Sequence, residues 1–261
     1  MQVDVFTRRR NQTFIFFGIL VILTAASVII TKYNVQKGFT CFVKAFVWGA
    51  SNFYPDAKSL KNLPDILFKL RDTVLMSIAS TSVGAVFSIC LALLGSRVTR
   101  VSKVFTVIAR GIASFFRNVP LVAWAMILMF AFSQSALTGF LALFLGSLGY
   151  LTRAFMEAID EVSDNSVEAL KAVGASHFHI IFQAVLPSSM PQIVSWLLFM
   201  IETNIRDATL VGILTGTGIG FLFDVYYKSF NYHAASLVVV VAVIMVLIVE
   251  KISNNVRRMI L

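Results

Sequence analysis

This sequence has little of what a soluble chain of its size carries. Of its 261 residues only 13% are Asp, Glu, Lys or Arg, about half the share usual in soluble domains. There are two cysteines, three histidines and five prolines. Cys41 and Cys90 make no C-x-x-C pair and no metal-ligand spacing, which excludes a disulfide framework and a thiolate metal centre. Cys90 lies within an apolar run and reads as a small buried side chain. His177 and His179 are two apart, so on a helix they do not share a face, and no metal site is expected from them. No G-x-x-x-x-G-K-[ST] run occurs, so no P-loop binds nucleotide on this chain.

What is present is apolar surface. Hydrophobic residues make up 58% of the chain, which reads as an integral membrane protein. The formal charge of +9 does not point to nucleic acid, because many basic residues flank apolar runs and so report orientation in a bilayer. A span needs about 20 mostly apolar residues. Candidate spans lie at roughly 14–31, 73–95, 120–135, 137–156, 191–212 and 233–250. The apolar run from Phe14 to Ile30 is longer than a signal-peptide core and no A-x-A site follows, so it reads as a retained first span. Arg8, Arg9 and Arg10 then stand on the cytoplasmic side, and six spans return the basic C-terminal tail there. Thirteen Lys and Arg fall inside on this topology and eight outside, in the direction of the positive-inside rule.

Between the spans, four stretches carry expectations. "FTCFVKAFVWGASNF", within the 33–71 loop, reads as a short amphipathic helix lying on the membrane. The second span is rich in Ser, Thr, Gly and Ala, which let helices approach closely in lipid. "SRVTRVSKVFTVIARGIASFFRNVP" is too basic for a span and reads as an interfacial helix, with Asn118 capping the third span and Pro120 in its first turn. Neither a repeat nor a low-complexity linker divides the chain, so 1–261 reads as one membrane domain.

The most polar segment is 157–190. Ser166 is a candidate cap for a helix starting at Val167, with Glu168 in its first turn where the dipole favours a negative charge. Val167, Leu170, Val173 and Gly174 share a face at helical spacing. Gly174 interrupts the helix and predicts an elbow. "FHIIFQAVLP" forms the second arm, ended by Pro187. The plain alternative is an amphipathic connector. The spacing, however, resembles the cytoplasmic motif of ABC importer permeases: E-A-A, three residues, G, nine residues, I-x-L-P. Here it reads Glu168-Ala169-Leu170, then Gly174, then Ala184-Val185-Leu186-Pro187, with Leu170 and Ala184 departing from the commonest residues.

That resemblance implies an all-α membrane fold of the type I ABC importer class, with about six spans. It also implies a coupling-helix loop at about 157–190, in which Glu168, Ala169, Gly174, Ala175, Leu186 and Pro187 meet an ATPase subunit. The implied partners are ABC ATPase subunits, an extracytoplasmic binding protein, a second permease copy and the lipid of a bacterial cytoplasmic membrane. ATP and Mg would sit on the ATPase, with no cofactor on this chain.

Charges reappear deep in the fifth candidate span, "PQIVSWLLFMIETNIRDATLVGILTGTGIG". Glu202 and Arg206 are four apart and can pair. A charge at membrane depth costs at least about 2.5–3.5 kcal/mol, so such groups face partners or water. One reading is a structural ion pair. The other is a polar pathway for an anion, with Glu202, Asn204, Arg206 and Thr209 lining it and the Arg206 guanidinium receiving oxyanion atoms.

The run also resembles phosphonate importer permeases, E-x-N-x-R-x-A/S-x-x-L/V-G followed by a glycine-rich stretch, with Thr217 departing. Gly216, Gly218 and Gly220 then read as a flexible outer turn at a gate. The resemblance implies a permease for phosphonates or related phosphorus oxyanions, working by alternating access. An amino acid or sulfonate permease, a passive channel and a membrane enzyme stay open as alternatives.

Overall fold

The computed structural model describes residues 5–162 and 164–260, with side chains described for 9–34, 36–161 and 167–260. The side chains of Arg8 and Ser166 therefore lie outside the described residues. All regular structure among the described residues is helical. The chain forms two compact units, Met1–Tyr54 and Pro55–Leu261.

The first unit contains α1 (Val5–Ile30) and α2 (Val35–Asn52). Its stretch Arg9–Ile30 is long and apolar enough to cross a membrane. The hydroxyls of Thr13, Thr24 and Thr31 donate to carbonyls four residues back, so they need no outside partner. Helix α2 is the amphipathic segment expected within 33–71. Asn34 caps it, its Oδ1 accepting from the Lys37 amide at 2.9 Å. Phe39, Phe42, Val43 and Phe46 form an exposed apolar stripe at helical spacing.

The second unit is a bundle. After a single 3₁₀ turn at Ser59–Asn62 come α3 (Leu63–Gly95), α4 (Lys103–Asn118), α5 (Leu121–Phe132) and α6 (Ala136–Val162). They are followed by α7 (Asp164–Ala172), α8 (His177–Ile180), α9 (Leu186–Thr215), α10 (Gly218–Lys228) and α11 (Tyr232–Ile260). Helices α3, α6 and α9 form the centre. The inner face of α3 is small and polar along its middle: Thr73, Ser77, Ser80, Thr81, Gly84, Ala85, Ser88 and Ala92 are all buried. Larger apolar side chains such as Leu143, Leu151 and Phe155 of α6 and Met200 of α9 complete the core. A Cβ at Gly84 would come within 3.1 Å of the Ser147 Cβ on α6, which shows how closely those backbones run. Van der Waals contact and hydrogen bonds hold such an interface where lipid supplies no hydrophobic drive. Ile66 and Leu70 near the start of α3 are buried, whereas Val83, Val86 and Phe87 face outward. Cys90 joins them: it is exposed, and the expectation of a buried thiol is wrong because the inner face is already taken by Ser, Gly and Ala.

Among the described residues five helical stretches are long and apolar enough to span a membrane, and six if one bent pair counts as a single span. That pair corrects the expected third span. Helix α5 has 12 residues, about 18 Å at 1.5 Å per residue, too short for a core of about 30 Å. It meets α4 at 91°. Asn118 ends α4 rather than capping α5, and Pro120 stands at the α5 N-cap. Pro120 has no N–H to continue α4 and pushes Val119 into extended backbone (φ −86°, ψ 120°), so the chain turns there.

Candidate functional site

The polar segment is the elbow its glycine predicted. Helix α7 starts at Asp164, two residues before Ser166, so Ser166 is not its cap. Gly174 ends the first arm with φ +77°. The Gly174 amide donates to Lys171 O at 3.1 Å and the Ala175 amide to Leu170 O at 3.0 Å. Those two bonds make a Schellman turn, which needs the left-handed conformation glycine adopts freely. Ser176 then caps the second arm, its Oγ accepting from the His179 amide.

Val167 is buried with Phe155, Ile180 and Val185, and Leu170 and Ala175 pack against them. Val173 departs from the expected common face, standing 79% exposed because the turn carries it away. Glu168, Ala169, His177 and His179 are exposed as well. Phe178 and Phe182 add 73% and 65% exposed rings, which sequence reasoning did not single out.

Pro187 does not end the second arm. One helical stretch runs His177–Thr215, 39 residues, or about 58 Å. The run tolerates proline because the turn before it, Ile181–Val185, is a π-helix, in which the Leu186 amide donates to Ile181 O, five residues back. That wide turn absorbs the misfit at the residue lacking an N–H. The elbow's second arm and the charged part of α9 are thus one helical stretch.

In the middle of that stretch Glu202 is buried and pairs with Arg206, Oε1 to Nη2 at 2.6 Å. Its other oxygen, Oε2, lies 3.5 Å from Nη2 of Arg257 on α11. Arg257 sits 55 positions away, in the basic C-terminal tail, and no periodicity or motif links it to Glu202.

Asn204 is not part of this cluster. It is fully buried on the other side of α9, where its Nδ2 donates to Thr81 Oγ1 at 2.7 Å and Ser147 Oγ at 2.6 Å. Both hydroxyls already donate to backbone, Thr81 to Ser77 O and Ser147 to Leu143 O. They can only accept from Asn204, which fixes the orientation of its amide. Asn204 therefore pins α3, α6 and α9 together. It also lines a cavity of about 250 Å³ with Arg117, Tyr150, Thr203 and Asp207.

Thr209 stands two turns beyond Glu202 on α9, and its carbonyl packs against Gly220. The glycine turn is tight rather than loose. Gly216 closes α9 at φ +70°, and Gly218 opens α10 at φ +63°. A Cβ at Gly220 would collide with the Thr209 carbonyl, and one at Gly212 with the Thr217 carbonyl. The Ile219 amide donates to Thr73 Oγ1 at 2.8 Å, tying the turn to α3. Among the described residues no group of three His, Cys, Asp or Glu is placed to hold a metal.

Comparison with known proteins matches residues 84–260 to the family of binding-protein-dependent transport system inner membrane components. The phosphate-import permease protein PhnE of Mycolicibacterium smegmatis is 27% identical over 250 residues, covering 96% of this chain and 47% of that protein. This chain thus spans about half the length of that relative. The phosphite transport system permease protein PtxC of Stutzerimonas stutzeri is 33% identical over 189 residues, covering 72% of this chain and 69% of that protein. Among solved structures, a chain of the inward-facing MetNI methionine ABC transporter superposes with a TM-score of 0.67 at 20% identity, over 75% of this chain and 96% of that one. This likeness shows a type I importer permease fold.

Proposed function

Because this chain belongs to the binding-protein-dependent transport system inner membrane components, in their phosphonate-permease branch, we propose that it is the permease subunit of an ATP-driven importer for phosphonates or related phosphorus oxyanions. It catalyses no chemistry of its own. The proposed partners are two ATPase subunits carrying ATP and Mg, a second permease copy and an extracytoplasmic binding protein, assembled at a bacterial cytoplasmic membrane.

The observation that carries this reading is the continuous helix from the elbow to Arg206. The exposed face of Glu168, Val173, Phe178 and Phe182 is the docking surface for the ATPase. The Schellman turn fixes its angle, and the rod His177–Thr215 transmits its displacement to the charge cluster. A packed helix moves as a unit, so ATP-driven movement at the elbow re-aims Arg206 without a separate linkage. Arg206, half exposed beside Glu202, supplies the planar donor fork that phosphoryl oxygens prefer.

The test is uptake of labelled methylphosphonate with Arg206→Gln. Transport falls at least roughly tenfold, as for loss of a charged hydrogen bond, while the ATPase still co-purifies. Normal uptake by this variant contradicts the role of Arg206. Displacement of the label by methionine or a sulfonate, and not by phosphite, contradicts the substrate class.

A further inference from the structure

Arg257 is the feature of the bundle that the function so far leaves unused. It lies one turn from the end of α11, yet its side chain turns inward and is only 24% exposed. Nη2 reaches Ser253 Oγ at 2.9 Å and Glu202 Oε2 at 3.5 Å, and Nη1 reaches Asn254 Oδ1 at 3.4 Å. Nε is buried with no hydrogen-bond partner among the described residues. A buried guanidinium N–H without an acceptor is costly, and such an orphan in a native fold calls for an explanation. Glu202 meanwhile gives one oxygen to each of two arginines from two different helices.

We propose that Arg257 is a second substrate-contacting cation, forming with Arg206 a two-guanidinium clamp for a phosphorus oxyanion. This rests on the reading of Arg206 given above. Each guanidinium carries five N–H donors. Glu202 engages Nη2 of each and so holds the two forks side by side. Arg206 keeps its other donors, while Arg257, whose Nη1 and Nη2 also hold Asn254 and Ser253, keeps its unpartnered Nε and one Nη1 hydrogen. A phosphonate presents several anionic oxygens on one phosphorus atom and bridges two such forks, as a single carboxylate does here. The clamp also joins two moving parts. The Glu202–Arg206 pair belongs to one helix and survives any rigid shift of α9, whereas the 3.5 Å contact to Arg257 makes or breaks as α9 slides past α11. Binding strength then changes with the position of the rod, which is what release on one side of a membrane requires.

The experiment titrates the purified full chain in nanodiscs, without binding protein, with methylphosphonate at a pH where it is doubly ionised and with its singly charged monomethyl ester. Removing a neighbouring positive charge weakens a ligand in proportion to the ligand's own charge. Arg257→Gln should therefore weaken methylphosphonate on the order of 10- to 100-fold, and the ester by only about the square root of that factor. Equal weakening of both ligands makes Arg257 a structural group and overturns the proposal. Unchanged binding in Arg257→Gln with lost binding in Arg206→Gln overturns it while leaving Arg206 in place. Unchanged binding in both variants overturns the reading of Arg206 as well. If Arg257→Gln does not fold, Arg257→Lys decides. That variant keeps the charge and loses the fork, so a several-fold loss for both ligands is expected, and wild-type affinity for both overturns the clamp.

Discussion

The Glu202 carboxylate holds two arginines at once, Arg206 on its own helix at 2.6 Å and Arg257 on α11 at 3.5 Å. The carboxylate is nine-tenths buried, while the two guanidinium groups keep more contact with the outside. Removing the shared partner should therefore cost more than removing either cation. Glu202→Ala leaves two cations facing each other, and a decrease in stability of about 2–3 kcal/mol is expected after allowing for the exposure of Arg206. Glu202→Gln keeps an acceptor oxygen and should lose less. Thermal unfolding of the detergent-solubilised chain orders the two variants.

Asn204 supplies the reverse case, a neutral group in a fully buried network. Asn204→Asp removes the Nδ2 donors that the Thr81 and Ser147 oxygens accept and buries a carboxylate that those hydroxyls can reach only by releasing Ser77 O and Leu143 O. A loss of at least about 3 kcal/mol is expected, expressed as poor folding. Asn204→Asp folding as well as the wild type, as judged by monodisperse elution and thermal midpoint, would show that this network does not hold α3, α6 and α9 together.

Two glycines separate crowding from backbone strain. At Gly220 a methyl group would run into the Thr209 carbonyl, so Gly220→Ala must push α10 off α9. Overpacking of this kind costs about 1–3 kcal/mol or more, and a drop in folded yield measures it. Gly111, with nothing within 4 Å of its Cβ position, is the control that should tolerate alanine.

Gly174 has open space around its Cβ position as well, so any cost of Gly174→Ala comes from φ +77° alone. About 1–2 kcal/mol of local strain is expected. It should shift the elbow angle and lower transport-coupled ATP hydrolysis while folded yield stays near wild type. ATP turnover per transported substrate is the readout.

Beside the bundle, Asp56 accepts the Ser59 amide at 2.7 Å, and that backbone hydrogen bond holds its carboxyl below the usual carboxylate range. A depressed folded-state pKa contributes stability that is complete above the ordinary value near 4 and lost as pH falls through the depressed one. The protection factor of the Ser59 amide should fall at acid pH, and Asp56→Asn should remove most of that pH dependence.

Much of this architecture was legible because its signals are local. The elbow at Gly174, the amphipathic α2, the small-residue face of α3 and the Glu202–Arg206 pair each depend on residues within one or two turns. The failures depend on contacts the sequence does not display. Pro187 looked like a stop, but a π turn one residue upstream carries the helix through it. Gly216, Gly218 and Gly220 looked like freedom, but the turn is packed: the Thr209 carbonyl occupies the Cβ position of Gly220 and the Thr73 side chain that of Gly218. Asn204, two residues from Glu202, lies on the opposite side of the helix, bonded to Thr81 and Ser147 and lining the cavity beside Asp207. Arg257 was invisible as a partner of Glu202, since only the crossing of α9 and α11 brings them together.

The central claim is that this chain passes phosphorus oxyanions across a membrane at the expense of ATP. Its most direct measurement is accumulation of labelled methylphosphonate in proteoliposomes. These would contain the complex purified through this chain from its native membranes, supplied with its binding protein. The account predicts accumulation only with ATP and Mg, competed by phosphite and not by methionine. Label that equilibrates without ATP, or a chain that purifies repeatedly with no ATPase, would contradict it and describe a passive pore instead.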